Sequence, residues 1–100
     1  MKVAQKETHA RSYKRLEIII KGFANKRRIQ ILELLKEEPE LSVDEISERI
    51  KCGYTNTSDH IRKLFIADLI LKRSDGVNVR HKLTPLAQDI LVFCKKLEYR

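Results

Sequence analysis

Six polar residues stand close together in one short stretch: Tyr54, Thr55, Asn56, Ser58, Asp59 and Arg62. On a helix, Thr57, Ile61 and Leu64 share the inward face. Thr55, Ser58, Asp59 and Arg62 then fall on the outward side, with Tyr54 at the exposed start. Hydroxyl and amide groups can hydrogen-bond to base edges or phosphates, and a guanidinium can pair with guanine or phosphate. An α-helix fits the major groove of duplex DNA and reads it with its first turns. Asp59 has two accounts. It can face cytosine N4, or, with Asn56 as N-cap, it can sit at N3 and favour the helix dipole. The local account is preferred, because a carboxylate near phosphates is repelled.

A second set follows. Asn78, Arg80 and Lys82 alternate along one strand face, and Lys72 and Arg73 lie on the partner strand. A cationic hairpin beside such a helix suits phosphate or minor-groove contact, with Arg80 and Lys82 on the DNA backbone. Lys and Arg also protect exposed strand edges, which is the plainer explanation. His81 falls on the apolar side of its strand and reads as a packing residue. Lys26, Arg27 and Arg28 open a helix, where cations oppose the dipole. Either phosphate or an acidic group of another helix has to favour them.

Other chemistries find little support. Cys52 and Cys94, the only cysteines, show no metal-ligand spacing with His9 or His60, so no metal and no cofactor are expected. Cys52 reads as a core residue in a turn, and Cys94 lies on the last helix. No nucleophile–base pair and no glycine-rich phosphate loop is present, which argues against an enzyme. Two thiols without a secretory-type N-terminus indicate a reducing compartment, taken as the cytoplasm. No apolar run is long enough to span a membrane.

The elements that must position these residues follow from periodicity and caps. Residues 1–8 are expected to fray. A helix is predicted from His9 to Phe23, with Leu16, Ile19, Ile20 and Phe23 on one buried stripe and Ile18 off it. The stretch from Gly22 to Asn25 breaks that pattern, and Asn25 caps a second helix over Lys26–Glu37. Ser42 with Glu45 forms a capping-box pattern for a third helix, on which Val43, Ile46 and Ile50 face inward. Lys51, Cys52 and Gly53 make a turn into a fourth helix, from Tyr54 to about Ala67. The period then changes to two: Leu69 and Leu71, then Val77, Val79, His81 and Leu83, form the apolar face of a hairpin with Asp75-Gly76 at its tip. Thr84-Pro85 starts a last helix that ends near Glu98. The expected fold is mainly α with a small β-hairpin: a winged helix-turn-helix with a three-helix core, a wing and extra terminal helices. One hundred residues, with 42% hydrophobic and 35% charged, suit a single globular domain over 1–100.

The formal net charge of +7 favours a polyanionic partner. Residues 1–40 carry ten basic and six acidic side chains, residues 41–68 four and five, and residues 69–100 seven and three. The excess therefore lies at the two ends.

The run Gly22-Phe23-Ala24-Asn25-Lys26-Arg27-Arg28-Ile29-Gln30-Ile31-Leu32, the turn and helix from Ile50, Asp75-Gly76 at the wing tip and Leu83-Thr84-Pro85 together resemble the ArsR-like winged-helix regulators, with some MarR-like character at the end. The resemblance covers about three-quarters of the chain and lies in the ordered series of segments. It implies a transcription regulator, expected to be a repressor, that binds double-stranded DNA. The chain departs from the family's metal sensors. Leu41-Ser42-Val43 stands where they often carry a cysteine pair, and the last helix has Asp89 and Glu98 but no histidine.

Both terminal helices carry more apolar surface than one chain needs. Ala87, Ile90, Leu91 and Cys94 form one stripe of the last helix, and Leu86, Ile90, Phe93 and Leu97 another. A two-fold homodimer through 9–23 and 85–98 is expected, using Leu16, Ile18, Ile19, Leu86, Ile90, Phe93, Cys94 and Leu97. The effector, if any, is unknown. The rival reading is a winged-helix protein-interaction module inside a larger assembly, and a weaker one is an RNA-binding winged helix.

Overall fold

A computed structural model describes residues 12–100. The order is α1 (Tyr13–Phe23), α2 (Lys26–Glu37), α3 (Val43–Ile50), α4 (Tyr54–Ile66), β1 (Ile70–Asp75), β2 (Asn78–Leu83) and α5 (Pro85–Glu98). The sequence expectation of a mainly helical chain with one antiparallel hairpin holds. The predicted start of α1 at His9 lies outside the described residues. Within them, Ser12 caps the helix by accepting the Arg15 N–H at 3.1 Å.

Local signals set most boundaries. Asn25 Oδ1 accepts the amides of Arg27 and Arg28, satisfying two donors that the first turn leaves without partners. Ser42 and Glu45 form the reciprocal capping box: Ser42 Oγ accepts the Glu45 N–H at 3.2 Å, and Glu45 Oε1 accepts the Ser42 N–H at 2.8 Å. Thr84 Oγ1 accepts the Ala87 N–H, with Pro85 in the first helical turn. Among the described residues, three non-glycine residues take positive φ, one of them Glu40 (69°) in the connection before α3. Lys51 (φ 54°) ends α3, and Asp68 (φ 64°) makes the corner between α4 and the hairpin.

The core forms where α2 crosses α3, α4 and α5. Ile31, Leu32, Leu35, Ile46, Ile61, Leu64, Leu69 and Ile70 are at most 2% exposed. Each such side chain contributes about 1.5–3 kcal/mol over an exposed one, so this cluster anchors α4 firmly.

Three parts of the predicted pattern change. Gly22 does not break α1; it is the buried residue of that helix, seated against Ala67 at the end of α4. That contact sets the rotation of α1. Ile19 and Phe23 pack on the core, while Leu16 (37%) and Ile20 (53%) face solvent rather than the predicted interior. In the hairpin, Ile70 pairs with Leu83, Lys72 with His81 and Arg73 with Arg80. The inward face therefore uses Ile70, and Leu71 is turned out beside Lys82 at 50% exposure. The predicted Leu69, Leu71 alternation fails because Leu69 precedes the strand and is buried with Ile70. Finally, Asp75 pairs with Asn78, so the two-residue loop is Gly76-Val77. Only Gly76 takes positive φ (64°), as a glycine-first hairpin turn requires, and Val77 is fully exposed at the tip.

Candidate nucleic-acid interface

Thr57, Ile61 and Leu64 are at most 2% exposed and hold α4 against α2 and α3. This anchoring turns Tyr54, Thr55, Ser58, Asp59 and Arg62 outward, where they line one shallow groove. Asn56 is exposed at the same end of the helix. Gly53 is the N-cap and supplies no side chain, so the first-turn amides of α4 stay open at the surface. An open helix N-terminus favours an anion such as phosphate.

The placement of Asp59 corrects the sequence expectation. Because Gly53, not Asn56, caps the helix, Asp59 lies in the second turn and not at N3. Its carboxylate instead meets Arg62 Nη2 at 2.7 Å and Lys63 Nζ at 3.2 Å. Hydrogen bonds from Arg62 and then Lys63 hold its pKa below the ordinary value. A polyanion reaching Arg62 has to compete with this exposed pair, a contest that costs little at the surface.

The hairpin divides its charges between two faces. Asn78, Arg80 and Lys82 share one face with Arg73 and Leu71. Lys72 is on the other, with its ammonium 4.6 Å from the centre of the Phe65 ring. Arg73 pairs with Glu40 at 2.9 Å. Arg80 pairs with Glu45 at 3.1 Å and Asp75 at 3.2 Å. Among the described residues Lys82 makes no ion pair, and it is exposed.

At the start of α2, Arg27 resolves the opposition between cation and dipole in a way neither predicted alternative named. Its Nη1 donates to the carbonyl of Ile50 at 2.6 Å, at the C-terminus of α3, where a cation is favoured. Arg28 lies by His60; burial and then the Arg28 charge push the His60 pKa down. His81 is 1% exposed, and its Nδ1 contacts the Leu41 carbonyl at 2.8 Å; burial lowers its pKa. Cys94 is half-buried with a raised pKa, again mainly from burial, and Cys52 is also half-buried. Among the described residues no group of three or more His, Cys, Asp or Glu gathers to hold a metal. No helix among them is long and apolar enough to cross a membrane.

On the terminal helices, Leu16, Ile18, Phe93 and Leu97 are 37–51% exposed. Ile19 and Ile90 turn towards the chain's own core, and Leu86 and Cys94 are half-buried against it. Ile20 and Val92, at 53% and 51%, join the exposed set. Sequence reasoning missed Ile20 because it assigned the residue to the buried stripe; the burial of Gly22 was the missing cue.

This geometry, an anchored helix beside a basic hairpin, is that of a winged helix-turn-helix fold. Residues 25–72 match the family model described as bacterial regulatory protein, arsR family. That segment is similar to the ArsR family of bacterial regulatory proteins. Among solved structures, the chain is similar to HlyU from Vibrio cholerae N16961, at 27% identity and TM-score 0.74, over 87% of this chain and 95% of that one. It is also similar in fold to the homodimeric winged helix-turn-helix DNA-binding domain Mb0332 from Mycobacterium bovis, at 20% identity and TM-score 0.77, over 91% and 90%. NolR from Sinorhizobium fredii shares the fold at 20% identity and TM-score 0.77, over 90% and 96%. Comparison with curated proteins gives no significant match.

Proposed function

We propose that this chain is a homodimeric, sequence-specific DNA-binding repressor working as one winged-helix domain in a reducing cytoplasm. The carrying observation is the outward groove of Tyr54, Thr55, Ser58, Asp59 and Arg62 on a helix whose opposite face is fully buried. In this reading α4 enters the major groove. Thr55, Ser58 and Arg62 meet base edges, and Tyr54, Asn56 and the open first-turn amides meet phosphate. Asp59 holds Arg62 and Lys63 until DNA arrives. The hairpin lies along the backbone or the minor groove, with Lys72, Arg73, Asn78 and Lys82 at or near the duplex.

Leu16, Ile18 and Ile20 of α1 and Phe93 and Leu97 of α5 supply the dimer surface, supported by their exposure. Ile19, Leu86, Ile90 and Cys94 back that surface from the core side. A two-fold dimer sets two α4 helices one DNA turn apart, about 34 Å. A dimer lying along a promoter excludes polymerase from the base pairs it covers, which is the basis for assigning repression.

Selection of bound fragments from a random duplex pool tests this reading. The expected result is enrichment of two related half-sites spaced by about one helical turn. Failure to enrich any sequence, or equal retention of RNA, would defeat it.

A further inference from the structure

The hairpin is tied to the rest of the protein by its own charges. Arg80, in the middle of β2, has a side chain only 24% exposed. Its Nη1 donates to Glu45 Oε1 at 3.1 Å and reaches the Glu40 carbonyl at 3.5 Å, and its Nε donates to Asp75 Oδ2 at 3.2 Å. These acceptors belong to the first turn of α3, the connection before it and the end of β1. Glu45 is itself held, because the same Oε1 accepts the Ser42 N–H in the capping box. Arg73 adds a fork onto Glu40, at 3.1 and 2.9 Å. The backbone of the same connection joins β2: the Glu40 N–H donates to the His81 carbonyl at 2.8 Å, and the His81 N–H to the Leu41 carbonyl at 3.0 Å.

We infer that Arg80 is a positioning residue that sets the angle of the wing against α3, and so against α4, and that Lys82 is the phosphate-facing cation of β2. The inference rests on the DNA-binding reading above and assigns Arg80 a different role from the backbone contact its sequence position suggests. A two-stranded hairpin has little stability of its own, so its direction depends on what holds it. A guanidinium can bridge two carboxylates and a carbonyl in one plane, which an ammonium cannot. A phosphate seeking Arg80 has to displace acceptors already in place on three elements. Lys82 lies two residues away on the same face, exposed and without an ion pair among the described residues.

The test uses the full chain and four variants. Arg80→Lys keeps the charge and loses the bridge. Glu45→Gln removes the carboxylate yet preserves the capping box, since Gln serves at that position. Hydrogen exchange at the Glu40 and His81 amides is expected to quicken about tenfold in Arg80→Ala, Arg80→Lys and Glu45→Gln. On a mixed-sequence duplex, Arg80→Lys is expected to bind as weakly as Arg80→Ala. Lys82→Ala is expected to lower the slope of log affinity on log salt by about 0.9 and to leave the exchange unaltered. Wild-type exchange and binding in Arg80→Lys, with the salt slope reduced by about 0.9 only in Arg80→Ala, would make Arg80 a phosphate contact and overturn the inference. If the wild type bound no duplex, the DNA reading would fall, and the exchange measurements would still decide the tether. Unchanged exchange in all three variants would refute it.

Discussion

Gly22 of α1 lies so close to Ala67 that a Cβ on the glycine would overlap the Ala67 Cβ. Both residues are buried. Gly22→Ala gains about 1 kcal/mol of helix propensity, but overpacking against a buried neighbour costs about 1–3 kcal/mol. A net loss of about 1 kcal/mol is expected in urea unfolding, partly restored by Ala67→Gly in the double variant. A Gly22→Ala chain more stable than wild type would mean that α1 does not seat on α4 in this way.

The exposed apolar residues of α1 and α5 lead to a second expectation. Phe93→Glu or Leu97→Glu places a charge in the proposed dimer surface and is expected to give monomer in sedimentation, with DNA affinity falling in parallel. Both side chains are about half exposed in the single chain, so the fold itself should unfold at nearly the wild-type urea concentration. A wild type that sediments as monomer at micromolar concentration would contradict the assignment.

The third expectation concerns acid. His60 and His81 both have pKa values pushed below the ordinary 6.5, in each case chiefly by burial. Well above 6.5 both are neutral in the folded and the unfolded chain and cost nothing. As pH falls below 6.5 the unfolded chain takes up the protons first, so stability declines until the folded pKa values are passed. Glu45 and Asp59, held below their ordinary 4.5 and 3.8, add a further loss only at lower pH, as their folded forms become protonated. His81→Asn keeps a donor for the Leu41 carbonyl and removes the titration. It is expected to shrink the decline that begins as pH falls through 6.5. An undiminished decline would show that His81 is not the buried neutral group described here.

What was legible in the sequence was local. Asn25, Ser42 with Glu45, and Thr84-Pro85 announce helix starts because a cap is chemistry between residues two or three apart. The buried face of α4 follows from its 3.6 periodicity, and the outward site residues follow from that face. What failed was long-range. Gly22 looks like a break until Ala67, far along the chain, is known to lie against it. Leu71 looks inward until the pairing of Ile70 with Leu83 fixes the register. Gly53 caps α4 without a side-chain bond, so nothing in the sequence marked it over Asn56. The partners of Arg27 and Arg80 lie 23 and 35 residues away, beyond any spacing rule.

The most direct measurement is a pair of anisotropy titrations at several salt concentrations, one with a selected duplex and one with a scrambled duplex of equal length. Wild type is expected to prefer the selected duplex by about 10³-fold or more. Arg62→Ala is expected to shrink that gap by roughly 1–3 kcal/mol, because a base contact carries discrimination. Lys82→Ala is expected to weaken both duplexes alike and to flatten the salt dependence. Equal binding of the two duplexes by wild type at every salt concentration would contradict sequence-specific recognition by α4. So would a preference changed by Lys82→Ala and untouched by Arg62→Ala.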